Sequence, residues 1–424
     1  MFETLSEVAP DADEAQLIAR IEWLERLKSA AAAGQARAAA AFDAKRRAAE
    51  QEAGLPARRR GRGIAAEIAL ARHDSPARGG RHLGFARALV HEMPHTLAAL
   101  ETGALSEWRA TLVVRESACL DVEDRRTLDE EICGDPGKLA GLGDARIAAE
   151  AKAIAYRLDP QAIVDRAARA EAERRVSIRP APDTMTYVTA LLPVAQGVSV
   201  YAALKRQADT CCDGRSRGQV MADTLVQRVT GQATADAAPI AVNLVITDDT
   251  LLGGDDIPAD IAGYGPVPAG VARQLVATAT SSARATLRRL YRHPKSGALV
   301  AMESRARLFP KGLSAFIAVR DGTCRTPYCD APIRHTDHAT PSSRGGATSA
   351  DNGDGLCAAC NYAKEAAGWT VTTHTDENGT HTAFVTTPTG SRHRSTAPPL
   401  RGPAHFDLAV TEKCIAIALA RHAA

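Results

Sequence analysis

Aromatic side chains are scarce in this chain: Phe, Trp and Tyr together make up 4% of its 424 residues, although the hydrophobic share is 45%. Alanine and arginine are abundant instead, which disfavours aromatic-rich sandwiches and favours helices packed through small side chains. A large charge of one sign is also lacking. Lys plus Arg number 52 and Asp plus Glu 50, a net charge of +2, so any surface that attracts a polyanion has to be local. No run approaches the ~20 apolar residues needed to cross a bilayer. The opening MFETLSEVAPDADEAQL is acidic and lacks the charged and apolar regions of a secretion signal. The expectation is a cytoplasmic protein without membrane contact. Thiols stay reduced in that compartment, so a cluster among the nine cysteines points to metal binding rather than disulfides.

The length exceeds the ~100 to 200 residues usual for one domain, which implies two or three. From Asp13 to Leu55 the pattern sets Leu17, Ile21, Leu24 and Leu27 three and four residues apart, the stripe of an amphipathic helix. PARRRGRG, from Pro56 to Gly63, interrupts it and suits either a solvated linker or a phosphate-contacting loop. Helices of ordinary length follow, with capping residues Asp74, Ser75, Thr102 and Ser106 and a break before Pro160. The period then changes: Val176, Ile178, Tyr187, Val188 and Leu191 suit an antiparallel hairpin of short strands leading into a helix. PIAVNLVITDDTLLGGDD reads as a buried strand, and DDIPADIAGYGPVPAG as an exposed loop.

GRGIAAEIALARHDSPARGGRHLGFARALVHEMPHTLAALETGALSEWRA, together with PIAVNLVITDDTLLG and IPADIAGYGPVPAGVARQL, resembles the family of domains of unknown function called DUF222 or the 13E12 repeat. The resemblance covers residues 15 to 300. It supplies no chemistry, but it implies a C-terminal partner, since such domains commonly precede a nuclease module.

That C-terminal region carries two cysteine pairs, CRTPYC at Cys324 to Cys329 and CAAC at Cys357 to Cys360. Four thiolates turned toward one point suit Zn²⁺. A site closed by four thiolates leaves no position for water, so the zinc would be structural, stapling a segment with few apolar residues of its own. Cys119, Cys133, Cys211, Cys212 and Cys414 are scattered and read as core residues or bystanders.

Between and just after the pairs lie Asp337, His338, Gly345, Gly346, Asn352 and Asn361. In DHATP, GGATSADN and LCAACNYAK, over residues 315 to 370, the chain resembles the HNH endonuclease superfamily in its zinc-stapled His-Asn-Asn form. The resemblance implies a ββα-metal fold, DNA as partner and phosphodiester hydrolysis. His338, with an unperturbed pKa near ~6.5, would be the general base. Asp337 and Asn361 would hold a hard Mg²⁺ or Mn²⁺, because an amide oxygen in the third position favours such a cation over Zn²⁺. Asn352 would tie the long loop to the hairpin. Asp337 and His338 are neighbours, and strand neighbours point to opposite faces, so the strand has to end or bend there. His335 is a rival base. His335, Arg334, Arg344 and Lys364, and also Arg325, are candidates for contact with DNA phosphates. Trp369 and Val371 would close a small core against the helix, and TTHTDENGTHTAFVTT fits a hairpin turning at Asn-Gly. His374, His381 and His393 have no regular ligand spacing.

The fold class expected is α+β: a predominantly α-helical N-terminal region with a few strands, then a small zinc-stapled ββα-metal domain. The boundaries expected are 1–300 for the helical domain, 301–370 for the nuclease, and 371–424 for a hairpin with a final helix. Two non-catalytic readings accompany the nuclease, a zinc-ribbon DNA-binding or interaction module and a degenerate mobile-element remnant. A binding ribbon has no need of Asp337, His338, Asn352 and Asn361 together.

Overall fold

A computed structural model describes residues 5–211, 213–231, 244–247, 250–251, 255–261, 264–281, 303–304 and 308–399. The expected final helix, FDLAVTEKCIAIALARHAA, lies outside them. The chain divides into two compact units, residues 1–172 and 173–424.

The first unit is helical throughout: α1 (Glu14–Glu52), α2 (Ile64–Ala71), α3 (Pro76–His91), α4 (Pro94–Glu101), α5 (Glu107–Glu116), α6 (Val122–Cys133), α7 (Asp144–Leu158) and α8 (Pro160–Ala170). Helix α1 starts at a reciprocal cap in which Asp13 Oδ1 accepts from the Gln16 amide at 2.8 Å and Gln16 Oε1 accepts from the Asp13 amide at 3.0 Å. The leucine stripe is not the face that packs. Leu17, Ile21 and Leu27 are exposed, whereas Ala32, Ala33, Ala36 and Ala40 are buried in one core with Leu89, Leu97 and Leu100 of α3 and α4. Small side chains let those helices approach closely, and that selects the alanine face. Asp43 adds an ion pair across the same contact, accepting from Arg87 Nε and Nη2, both at 2.7 Å. The arginine run after α1 folds back on its end, with Arg60 donating to the Leu55 carbonyl at 2.8 Å and to Gln51 at 2.7 Å. Asp159 accepts from the Ala162 amide at 2.8 Å, so Pro160 opens α8 just where the pattern breaks.

The second unit begins with the expected hairpin, β1 (Arg175–Pro180) against β2 (Thr186–Leu191), and continues into α9 (Val194–Thr210) and α10 (Arg217–Thr230). Strand β3 (Leu244–Val245) pairs with β4 (Ala259–Ile261), which pairs with β5 (Gly265–Val267); α11 (Ala269–Ser281) follows. The segment expected to be an exposed loop is therefore partly a small hairpin. Ala259 and Val267 alternate inward and pack on Ala272, a period too short to stand out in the sequence.

The remaining elements frame the C-terminal site: β6 (Glu303–Ser304), α12 (Lys311–Asp321), β7 (His335–His338), β8 (Thr348–Ser349), β9 (Gly353–Leu356), α13 (Ala358–Lys364), then the meander β10 (Thr370–Thr375), β11 (His381–Thr386) and β12 (Arg392–Thr396). Antiparallel β7 and β9 with α13 form the ββα unit, in a register that sets His338 opposite Gly353 and Asp337 opposite Asp354. Gly353 cannot be larger: a Cβ there would lie 2.5 Å from Ile317 Cδ1 and 2.7 Å from Phe309 Cε1.

The end of α12 fastens this unit through buried charges. Arg320 pairs with Asp321 at 2.7 Å and donates to the carbonyls of Ala350 and Gly353, while Asp321 Oδ2 accepts from the Gly355 amide at 2.8 Å. Arg325 lies 3.5 Å from Asp321 and reaches the other way, donating to the Ser395 hydroxyl at 3.1 Å and to its carbonyl at 2.5 Å. Expected as a DNA contact, Arg325 is instead an internal tie between the cysteine segment and the meander. Its side chain is only 3% exposed, because two carbonyls and a carboxylate replace its hydration. Removing the carboxylate leaves two buried guanidinium groups without the counter-charge that contacts them, with only Asp354 nearby in the same interior. Asp321→Ala is therefore expected to destabilise this unit by about 3–5 kcal/mol in denaturant titration, and Asp321→Asn by less. An unchanged midpoint for the alanine variant would show that the pairs do not hold the unit.

Candidate metal and phosphodiesterase site

Two groups of side chains gather around the ββα unit. The first is the cysteine cluster. Cys324 comes from the loop after α12, where its amide donates to the Ala331 carbonyl at 2.9 Å. Tyr328, at φ +63°, turns the chain so that Cys329 comes back toward it. Cys357 is the residue that caps α13, and Cys360 lies in its first turn. All four sulfurs fall within 4.8 Å of one another, with Cys329 Sγ 3.9 Å from Cys357 Sγ and 3.6 Å from Cys360 Sγ. Tetrahedral Zn–S bonds of about 2.3 Å give edges of about 3.8 Å, so the spacing fits a single tetrahedral ion. The electrostatics agree. Hydrogen bonds from Cys329 and Cys360 pull the Cys324 thiol far down, and the same bonds to Cys324, with burial added, push Cys329 up to about 12 and Cys360 up as well. Crowded thiols cannot all ionise on their own, and a divalent cation removes the conflict.

The second group sits where β7 stops. The strand ends at His338, and the Ala339 amide donates to the Asn352 carbonyl at 2.8 Å. Neighbouring Asp337 and His338 thereby reach the same place, with His338 Nδ1 3.8 Å from Asp337 Oδ1. His338 Nε2 lies 2.9 Å from the Thr348 hydroxyl, and its ring packs on Phe309 with centroids 4.7 Å apart. If Nε2 carries the proton and donates to Thr348, the lone pair of Nδ1 faces Asp337. Burial lowers the His338 pKa first of all, against Asp337, which raises it, and with Lys364, which lowers it further.

Asn352 spans the loop between the strands. Its Oδ1 accepts from the Thr340 amide at 2.8 Å, and its Nδ2 donates to the carbonyls of Thr340 at 3.0 Å and Ala347 at 2.8 Å. Gly346 leaves room for this amide, since a Cβ there would come 2.7 Å from Asn352 Nδ2. Asn361, on α13, keeps its Oδ1 buried and without a hydrogen-bond donor. An amide oxygen in that condition fits a cation rather than a packed core.

Lys364 is three residues beyond Asn361 on the same helix, and its side chain is 9% exposed. Its Nζ lies 2.7 Å from Asp337 Oδ2 and donates to the His338 carbonyl at 2.5 Å. Arg334, His335 and Arg344 are exposed, with the His335 ring 6.4 Å from that of Tyr362. Arg344 and Lys364 line one cleft with Thr340, Ala366, Trp369 and Thr370. Trp369 is buried, as expected of a residue closing a core. His381 is buried too and turns Nε2 to the Asp351 carbonyl at 3.0 Å. The cysteine set is the only cluster of three or more Cys, His, Asp or Glu ligands among the described residues. Sequence reasoning missed Thr348, Phe309, Arg320 and Asp321. Their partners lie 10 to 34 residues away, and no spacing links them.

The four-cysteine cluster and the ββα unit beside it set the class that the comparisons bear on. Residues 324–367 match the family model for an HNH endonuclease. Residues 11–321, most of the chain, match the model of the domain of unknown function DUF222, and the chain belongs to the DUF222 family. No curated protein and no solved structure matches it. No helix among the described residues is long and apolar enough to cross a membrane.

Proposed function

We propose that the chain is a metal-dependent endonuclease that hydrolyses DNA phosphodiester bonds, with residues 301–370 as the nuclease. The observation that carries the reading is the convergence, at the end of β7, of the His338 imidazole and the oxygens of Asp337 within an HNH-matching segment. His338 Nδ1 takes a proton from the attacking water as its oxygen bonds to phosphorus and the bridging oxygen leaves. Thr348 holds the opposite ring nitrogen, and Phe309 fixes the plane of the ring. Asn352 keeps the loop on the hairpin, and with it the base in position. Asp337 and Asn361 supply hard oxygen donors for Mg²⁺ or Mn²⁺, which would stabilise charge on the phosphate and on the leaving oxygen. The four cysteines hold Zn²⁺ as a structural ion. Arg334, His335 and Arg344, all exposed, would meet DNA phosphates.

The test is incubation of the zinc-loaded chain with supercoiled, linear, branched and single-stranded DNA, with Mg²⁺, with Mn²⁺ or with neither. Cleavage that requires Mg²⁺ or Mn²⁺ is expected, and Asp337→Ala is expected to lower it roughly 10²-fold or more, the scale of a lost metal contribution. Binding of DNA without cleavage under every condition would reduce the chain to a zinc-ribbon binding module.

A further inference from the structure

A lysine in the last turn of a short helix ordinarily extends into water, where it also favours the negative end of the helix dipole. Lys364 instead turns inward. Its side chain is 9% exposed, and its ammonium touches two groups of β7: Asp337 Oδ2 at 2.7 Å and the His338 carbonyl at 2.5 Å. A third acceptor, Glu365 Oε1 at 3.7 Å, is on an exposed side chain.

The contact divides the two oxygens of Asp337. Oδ2 is occupied by the ammonium, while Oδ1 faces His338 Nδ1 at 3.8 Å. The same ammonium fixes the carbonyl at which the strand ends, and hence the backbone that carries the base. From this we infer that Lys364 is a positioning residue. It holds Asp337 to a single available oxygen, Oδ1, and couples that oxygen to the orientation of His338. The inference rests on the nuclease reading of the site and adds a role for a residue that sequence alone places on DNA.

The charge has a second consequence. An ammonium sharing the carboxylate repels a divalent cation bound to the other oxygen, so the arrangement trades cation affinity for orientation. Loss of an ordinary supporting residue weakens metal binding and activity together, commonly 10–100-fold. Loss of Lys364 is expected to move them in opposite directions. Without the ammonium Asp337 is free to offer both oxygens, and the repulsion is gone.

The experiment is a titration of the zinc-loaded full chain with Mn²⁺, read by electron paramagnetic resonance, alongside cleavage of plasmid DNA. Lys364→Met and Lys364→Gln are expected to bind Mn²⁺ roughly tenfold more tightly and to cleave roughly 10²-fold more slowly. The glutamine variant keeps a hydrogen-bond donor for Asp337, so it remains informative if the methionine variant does not fold. Lys364→Arg keeps the charge. It is expected to hold Mn²⁺ within about threefold of the parent and to recover part of the rate. Unchanged Mn²⁺ binding and cleavage in the neutral variants would overturn the inference. So would parallel loss of both, or weaker DNA binding with unaltered Mn²⁺ affinity, which is the signature of a phosphate contact. Asp337→Ala keeps the two levels apart: if it binds Mn²⁺ as the parent does, the metal site itself is wrong, whatever Lys364 does.

Discussion

Stripping the metal from the four cysteines is expected to unfold the C-terminal ββα unit while the helical first unit stays intact. The core around the sulfurs consists of Cys324, Cys329, Cys360 and Leu356, with Ala331 and Cys357 packed on it. Leucine and alanine alone cannot offset the cost of ordering the surrounding loops, about 1–2 kcal/mol per residue in backbone entropy. Structural zinc supplies an apparent ~10–16 kcal/mol in comparable thiolate sites, and in the absence of metal that whole amount is missing. The first unit does not depend on it, because Leu89, Leu100, Leu128 and Ile147 are fully buried there. Dialysis against a strong chelator should therefore release one zinc per chain and open residues 324–399 to protease. Most of the helical circular dichroism should survive. Cys360→Ser should reproduce the effect without chelator, because Cys360 is buried and its sulfur is 3.6 Å from that of Cys329. Equal protease resistance with and without metal would remove zinc from the account of this fold.

The cysteines were legible because their chemistry is carried by residue type and spacing alone. C-x4-C and C-x2-C need only to be brought together, and the turn at Tyr328 and the helix start at Cys357 do so locally. The hairpin at Arg175 to Leu191 was legible for a similar reason, since period and register are local properties. Arg320, Asp321 and Arg325 were not. Their partners are Gly353, Gly355 and Ser395, and a charged residue in a sequence looks the same whether it meets water or a distant carbonyl. Lys364 shows the same ambiguity within the site. The i to i+3 spacing places it beside Asn361, but its direction is set by Asp337 across the ββα unit. On α1 the periodicity of Leu17, Ile21 and Leu27 announced a helix and misjudged its packed face. Periodicity reports that a stripe exists, and the neighbouring helices decide whether leucine or alanine is covered.

Replacing His338 with alanine should lower DNA cleavage about 10²–10⁴-fold, the usual scale of a general base, without releasing zinc. The geometry makes a sharper demand than loss of activity. Thr348 holds Nε2 at 2.9 Å, and Phe309 holds the plane of the ring, so Nδ1 is the nitrogen left to accept a proton beside Asp337. Thr348→Val keeps the shape and removes the hydroxyl, so the ring loses the partner that holds Nε2 in place. A smaller loss follows, roughly tenfold. Because both changes act through one imidazole, the double variant should be no slower than His338→Ala alone; two independent contributions would multiply instead. His335 provides the control. It is exposed on β7 and lacks the Thr348 and Phe309 supports of His338, so His335→Ala should alter DNA affinity at most a few-fold and leave the chemical step alone. If His335→Ala abolished cutting while His338→Ala retained it, the base would lie on the open face of the strand, and the buried imidazole of His338 would be a packing residue.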